Sequence, residues 1–148
     1  MTKRFERLKK VDAREEIWTS VYRIAKKNFM FGVGTGDVKN ELVLDYIARD
    51  FKGGIQHKFG AHNQYFEVLL AVGVIGLILF GASILVPLYF AVQEKKYLYI
   101  VFLSLFSLLC LTENIIEKQE GILWYAFLNS FFASQLFFVK QIKFRNSV

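Results

Sequence analysis

The sequence predicts an all-α, polytopic membrane protein, with three transmembrane helices preceded by an extramembrane segment that contains two amphipathic helices. Apolar residues make up 54% of the 148 residues, and long apolar runs follow residue 61. Residues 1–61 instead carry 13 of the 19 Lys and Arg residues. No stretch alternates apolar and polar residues over the length of a typical strand. We therefore divide the chain into an extramembrane segment, residues 1–61, and a membrane domain, residues 62–148.

Three apolar runs have the length of a transmembrane helix, for which a bilayer requires roughly 20 mostly apolar residues. They cover residues 65–92, 97–116 and 122–139. Pro87 is the only proline in the sequence and is expected to bend the first span near its end. Tyrosine and tryptophan residues near the span ends fit the aromatic belts that form at membrane surfaces.

The extramembrane segment begins with a predicted amphipathic helix over residues 12–29. Asp12 and Glu15 stand at its start and Lys26 and Lys27 near its end, an order of charges that favours the helix dipole. Its apolar residues recur at helical spacing: Trp18, Val21, Tyr22, Ala25 and Phe29.

A second amphipathic helix is predicted after a glycine-rich stretch. The letters GVGTG, residues 32–36, are expected to end the first helix with a turn. Asp37 then caps a helix over residues 38–51, and the letters KGG at 52–54 end it.

The short loops predict the orientation of the spans. The loop QEKK, residues 93–96, and the tail KQIKFRNSV, residues 140–148, are basic, whereas EKQEG, residues 117–121, is acidic on balance. The positive-inside rule places the basic loop and the C-terminus in the cytoplasm and residues 1–61 outside. A free basic segment without a signal sequence seldom crosses a membrane. We therefore expect the chain to be the last part of a larger membrane protein; an inverted topology is the alternative.

Several classes of site are not predicted. The stretch GVGTGD, residues 32–37, follows a helix rather than a strand and lacks the Lys-Ser/Thr pair of a phosphate-binding loop. His57 and His62 have no acidic partner at metal-ligand spacing, and Cys110 is the only cysteine. Neither a metal nor another cofactor is expected. The basic residues lie beside apolar spans, so an anionic lipid surface explains the net charge of +6 and no nucleic-acid partner is predicted.

His62 stands immediately before the first predicted span and is followed by Asn63 and Gln64. A single histidine is more often structural than functional, but an imidazole at a membrane surface can take up a proton at physiological pH. Within the span, Gly73 and Gly76 are three residues apart. We expect these glycines to share a helix face against which another helix packs.

Three stretches of the sequence resemble the O-antigen ligase and polymerase family. The first is a histidine and an asparagine followed, after nine residues, by GVIG: His62, Asn63, Gly73 and Gly76. The segment REEIWTSVYRIAKKNFMFGVGTGD, residues 14–37, is similar to the Arg, Trp and Gly-x-Gly-x-Gly segment of the family's large periplasmic loop. Residues 112–132 look like the stretch before its last span. The resemblance covers residues 11–135.

The resemblance implies that the chain is the C-terminal part of an inner-membrane enzyme of lipopolysaccharide biosynthesis. Such an enzyme moves a glycan from undecaprenyl diphosphate to a sugar hydroxyl of the lipid A core or, in polymerases, to another carrier-linked glycan. His62 would be the base for the acceptor hydroxyl, and Arg14 would clamp the diphosphate, since guanidinium pairs bidentately with phosphate. Asn63 and Gln64 would bind substrate. Cationic side chains would replace a metal ion at the leaving group, and the remaining spans and membrane lipids would be further partners.

Three alternatives stay open. On spacing alone, Arg14 is equally well explained as a surface charge of the amphipathic helix, and ligases and polymerases share the motifs above. A function of another class is a small non-enzymatic membrane protein whose basic segment binds anionic lipid from the cytoplasm, with the spans inverted. Reporter fusions in the loop 117–121 distinguish these classes, because the enzyme hypothesis requires that loop to lie outside.

Overall fold

The structure, a computed structural model, describes the backbone of residues 2–145 and the side chains of residues 13–136. Every regular element in this range is a helix, and no strand occurs in it, so the predicted all-α fold is confirmed. The six helices are α1 (Thr2–Lys27), α2 (Val38–Ala48), α3 (Lys52–His57), α4 (Gln64–Gln93), α5 (Tyr97–Cys110) and α6 (Gln119–Arg145). They form two compact units, Met1–Leu79 and Phe80–Val148, divided within α4.

The extramembrane segment contains one helix more than predicted. α1 begins at Thr2 rather than at Asp12, and the additional helix is α3. There the letters KGG, expected only to end a helix, begin a new one. A Cβ atom on Gly54 would lie 2.5 Å from the Phe51 ring and 2.7 Å from the Tyr46 ring. Glycine therefore allows α3 to approach these rings closely, and this packing offsets the low helix propensity of glycine.

The core of the first unit joins α1 and α2 to the first turns of α4. Of the five periodic apolar residues predicted for α1, Val21 and Ala25 lie in this core, whereas Trp18, Tyr22 and Phe29 are exposed. Its buried members are Ile17, Val21, Ile24, Ala25, Val38, Leu42, Tyr46, Ala61, Leu70 and Ala71. The beginning of the predicted first span is thus part of the core of the first unit.

α4 is interrupted at Gly73, which has φ 70° and ψ −169°. The sequence predicted a bend at Pro87, but the one residue of α4 with non-helical dihedral angles is Gly73. A backbone with positive φ favours glycine because it has no Cβ atom. The chain therefore breaks the helix at a residue that tolerates the required conformation.

The segment that follows α1 fills this interruption. In a continuous helix the Val74 N–H would donate to the Leu70 carbonyl, and here both groups take partners from the segment instead. Three backbone hydrogen bonds join the two segments: Val33 N–H to the Leu70 oxygen (2.7 Å), Gly34 N–H to the Ala71 oxygen (2.9 Å), and Val74 N–H to the Phe29 oxygen (2.8 Å). Polar groups freed by the break therefore remain hydrogen-bonded.

One helix in the described part of the chain, α4, is long and apolar enough to cross a membrane, and α5 is a shorter apolar helix. Residues 74–93, after the break, rise about 30 Å at about 1.5 Å per residue, which matches the thickness of a bilayer core. The third predicted span, residues 122–139, lies in α6 and extends past the described side chains. Three spans therefore stay a prediction.

In the second unit, aromatic side chains hold α5 against α6. The buried Tyr99 donates its hydroxyl hydrogen to Asn129 Oδ1 at 2.6 Å. Its ring stacks on that of Phe132, with ring centroids 5.3 Å apart. Tyr125 donates in the same way to the Ser83 carbonyl oxygen at 3.1 Å. The two contacts of Tyr99 join α5 to α6, and the hydrogen bond of Tyr125 joins α6 to α4.

Candidate active site

α1 and the first turns of α4 run in the same direction in the first unit. The Trp18 ring on α1 meets the Phe66 ring on α4 edge-on, with centroids 5.6 Å apart. Beyond the C-terminal end of α1, the Phe29 carbonyl accepts the hydrogen bond from Val74. Arg14 and His62 each stand four residues before one member of the Trp18–Phe66 ring contact.

Arg14 lies one helical turn before Trp18 on α1. Its side chain is exposed, and no hydrogen bond or ion pair joins it to another residue in the described range. The guanidinium group therefore has its five donors available for a ligand. This arrangement suits an anion with several oxygens, such as a phosphate group.

Two other arginines of the first unit are engaged by neighbouring side chains. Arg23 Nε lies 3.1 Å from Asp45 Oδ1. Arg49 pairs with the Glu16 carboxylate and also donates to the Glu16 carbonyl oxygen and to Ser20 Oγ, each at 2.9 Å. Both pairings hold α1 against the α2 region. The sequence did not single out Arg49, because its partners lie about thirty residues away and only tertiary structure brings them together.

His62 immediately precedes the capping residue of α4 and has φ 50°, in the left-handed region. The centroid of its half-buried ring lies 6.0 Å from that of the Phe59 ring, and the two rings are tilted against each other. The exposed His57 stacks on the same Phe59 ring, with centroids 5.3 Å apart. No described residue forms a hydrogen bond with the His62 ring. The imidazole nitrogens are therefore open to a substrate. Within the described range, no group of three or more His, Cys, Asp or Glu residues is arranged to hold a metal ion.

Asn63 caps α4 and thereby fixes the position of His62. Its Oδ1 atom accepts hydrogen bonds from the backbone N–H groups of Tyr65 (2.9 Å) and Phe66 (3.2 Å), as an N-cap residue does. Asn63 and Gln64 are both buried. Their predicted substrate-binding role stays a prediction, whereas the capping role of Asn63 was not foreseen.

Replacing Asn63 with alanine is expected to lower the free energy of unfolding by about 1 kcal/mol, the typical contribution of a capping side chain. Thermal unfolding in detergent measures the effect. Asn40→Ala is the matched control, because Asn40 is exposed on α2 and no described residue hydrogen-bonds to its side chain. Equal stability of the two variants would contradict the capping role.

Tyr46 supports the loop that carries His62. Its hydroxyl donates to the Phe59 carbonyl oxygen at 3.2 Å. Burial of the ring, with smaller contributions from the charges of Asp45 and Glu67, raises the pKa of Tyr46, so the hydroxyl keeps its proton and remains a donor. The sequence analysis missed this role, because Tyr46 also fits the apolar side of an amphipathic helix.

The glycine-rich stretch, residues 32–36, is a turn, as predicted, and its first three backbone N–H groups donate hydrogen bonds within the protein. Val33 and Gly34 donate their N–H groups to carbonyl oxygens of α4. These are the backbone groups that a phosphate-cradling loop would direct at its ligand. This arrangement agrees with the sequence-based preference for a turn over a phosphate-binding loop.

The expectation that Gly73 and Gly76 share a helix face is wrong, because Gly73 is not helical. A Cβ atom on Gly73 would overlap the Met30 carbonyl group, so this glycine permits contact between two backbones. A Cβ atom on Gly76 would meet the side chain of Val72, which lies four residues earlier, before the break in α4. Packing of Gly76 against another helix stays a prediction.

Comparison with known proteins identifies one family. The O-antigen ligase family matches residues 1–81, which is more than half of the chain and includes Arg14, the glycine-rich turn and His62. The stretch 112–132, which also resembles the family, lies outside the match. No curated protein matches the chain, and no solved structure matches it. The family match and the apolar helix α4 together point to a membrane protein. The chain belongs to the O-antigen ligase family.

Proposed function

We propose that this protein is a metal-independent glycosyltransferase that moves a glycan from undecaprenyl diphosphate to a sugar hydroxyl of the lipid A core. Its family consists of ligase and glycosyltransferase-like proteins, which supports an enzymatic function. One observation carries the proposal further. A guanidinium group, Arg14, and an imidazole, His62, that are unpaired among the described residues each precede by four residues a member of the Trp18–Phe66 ring contact between α1 and α4.

Glycan transfer needs two kinds of assistance, and these residues suit them. The acceptor oxygen forms a bond to the anomeric carbon while the bond from that carbon to the diphosphate oxygen breaks, and the electron pair leaves with the diphosphate. His62 accepts the proton of the acceptor hydroxyl as a general base. Arg14 pairs bidentately with the diphosphate and stabilises the charge that develops on it. A polymerase, which uses a second carrier-linked glycan as acceptor, would make the same demands.

The surrounding contacts favour a pre-arranged base. Asn63 caps the helix that follows His62, and the Tyr46 hydroxyl is bonded to the loop that precedes it. A catalytic side chain is effective when its neighbours hold it in place before the substrate arrives. We assign supporting roles to these two residues and keep substrate binding by Asn63 and Gln64 as part of the proposal.

We also propose the inner membrane as the location, with residues 1–61 in the periplasm and the C-terminus in the cytoplasm. The basic loop 93–96 supports this orientation through the positive-inside rule. The carrier's diphosphate would then lie at the periplasmic surface of the inner membrane, on the same side as Arg14 and His62.

Transfer in the presence of a chelator tests the proposal. The full-length protein is purified in detergent and incubated with a labelled undecaprenyl diphosphate-linked glycan and lipid A core. We expect labelled product to form at the same rate with and without EDTA, because cationic side chains neutralise the leaving group. Transfer that EDTA abolishes and Mg²⁺ restores would contradict metal independence.

One further reaction completes this experiment. A second carrier-linked glycan offered as the acceptor distinguishes a polymerase from a ligase, because only a polymerase would lengthen the glycan on the carrier. Failure of the protein to transfer glycan to either acceptor would contradict the proposed activity itself.

A further inference from the structure

The second unit contains a cavity of about 300 Å³ where the turn between α4 and α5 meets α6. Two adjacent lysines lie at the turn, and the other walls are mainly aromatic and aliphatic. Its lining includes Lys95, Lys96, Leu98, Phe131, Phe132 and Gln135. None of them belongs to the candidate active site, which lies in the first unit.

The backbone of the turn fixes the position of the two lysines. Lys95 has φ 53°, and its N–H group donates to the Val92 carbonyl oxygen. The Lys96 N–H group donates to the Ala91 carbonyl oxygen at 2.8 Å. The chain therefore reverses direction directly after α4, and α5 begins immediately after Lys96.

The lysines are available to a ligand. Neither ammonium group forms an ion pair or hydrogen bond with another residue in the described range. Two adjacent ammonium groups attract an anion, and lysine binds phosphate groups as a point charge. The cavity therefore has an electrostatic preference for an anionic ligand.

The rest of the cavity favours an apolar ligand. Leu98 is 77% exposed and Phe131 is 51% exposed, so both present apolar surface at the cavity. Phe132 is held in place by its stacking on Tyr99. A free phosphate ion would neutralise the lysines but make no contact with this apolar surface, whereas an amphiphile with an anionic head group contacts both.

We propose that this cavity binds an anionic phospholipid, with the phosphate of the head group at Lys95 and Lys96 and an acyl chain along Leu98, Phe131 and Phe132. The volume lies at the lower end of the range for ligand sites, about 300–1,000 Å³, and accommodates the head group and the first part of one chain. Gln135 contributes a further hydrogen-bonding group at the cavity. Basic pockets between transmembrane helices are a known way of binding such lipids.

Native mass spectrometry of the full-length protein, titrated with phosphatidylglycerol or phosphatidylcholine, tests this site. We expect tighter binding of phosphatidylglycerol. The double variant Lys95→Gln/Lys96→Gln should lose this preference, since each lysine near a lipid surface is worth roughly fivefold in affinity.

The matched control is Lys26→Gln/Lys27→Gln, which removes the same charge from two adjacent exposed lysines of α1. This variant should bind phosphatidylglycerol like the parent. Equal loss in both double variants would overturn the proposal, because it would indicate nonspecific charge attraction. Equal affinity of the parent protein for the two lipids would also overturn it, because the cavity would then have no preference for an anionic head group.

A photoactivatable phosphatidylglycerol with a diazirine in its acyl chain locates the site directly. Crosslinks are expected on peptides that contain residues 97–99 and 131–135 and should be lost in the Lys95→Gln/Lys96→Gln variant. Inorganic phosphate is added as a competitor. Displacement of the lipid by phosphate alone, or crosslinks spread evenly over the apolar helices, would refute a phospholipid site.

Discussion

Replacing Gly73 with alanine is expected to lower the free energy of unfolding by roughly 2–6 kcal/mol, through backbone strain and a steric clash. Gly73 has φ 70° and ψ −169°, a conformation that is essentially confined to glycine and costs a residue with a Cβ atom about 1–3 kcal/mol. The new Cβ atom would also overlap the Met30 carbonyl group and lie 2.5 Å from the Phe31 amide nitrogen. Backbone atoms cannot rotate away as a flexible side chain can, so the two segments must separate.

Gly81→Ala is the matched control for this variant. It adds the same methyl group to the same helix, at a position where no atom lies within 4 Å. Thermal unfolding in detergent should leave it at least as stable as the parent, since alanine favours helices over glycine. A Gly73→Ala protein as stable as Gly81→Ala would contradict the backbone contact described here.

Gly32 tests the same contact from the opposite segment. It also has φ 70°, and a Cβ atom on it would lie 2.5 Å from the Leu70 carbonyl oxygen. Gly32→Ala should therefore be destabilised to a similar degree. The double variant Gly32→Ala/Gly73→Ala should lose less than the sum of the two, because residues in one contact are not independent.

His62→Ala and Arg14→Ala are each expected to reduce glycan transfer by about 10²–10⁴-fold, the usual range for loss of a general base or of leaving-group electrostatics. Protein levels in the membrane should stay normal, because neither substitution removes many contacts. The Arg14 side chain is exposed and unpaired among the described residues, and the His62 ring has one aromatic neighbour among them, Phe59. Transfer from a purified lipid-linked glycan donor measures the effect, with the membrane content of each variant determined in parallel.

The chain offers a matched control for the histidine. His57 stacks on the same Phe59 ring but is exposed at the end of α3, and His57→Ala should transfer glycan nearly as fast as the parent. Near-normal turnover by His62→Ala from mildly acidic to alkaline pH would rule out the base role. It would leave His62 as a structural or sugar-binding residue.

For the arginine, the conservative variant distinguishes charge from geometry. Arg14→Lys should recover part of the activity lost in Arg14→Ala but not all of it, because an ammonium group cannot make the two-pronged contact of a guanidinium group with diphosphate. Full recovery by lysine would show that charge alone suffices. No loss in either variant would return Arg14 to the status of a surface charge.

The sequence by itself determined the all-α class, the helical character of most of the residues assigned to α1 and α2, and the apolar character of α4. These features follow from residue spacing within one element, which depends on the 3.6-residue helical repeat and not on distant partners. It also identified the residue types suited to the chemistry, since a histidine before an apolar run and an arginine in a family-like segment are visible without coordinates. The turn at GVGTG was predictable because glycine-rich stretches end helices locally, without the need for distant partners.

Only the tertiary structure decided how these parts are used. The break at Gly73 depends on hydrogen bonds between residues about forty positions apart, so a local pattern read residues 65–92 as one continuous span and placed the bend at Pro87. Among the arginines, Arg23 and Arg49 have acidic partners contributed by other elements, whereas Arg14 has none in the described range. Free groups and paired groups look alike in a sequence, because pairing is a property of residues that the fold brings together.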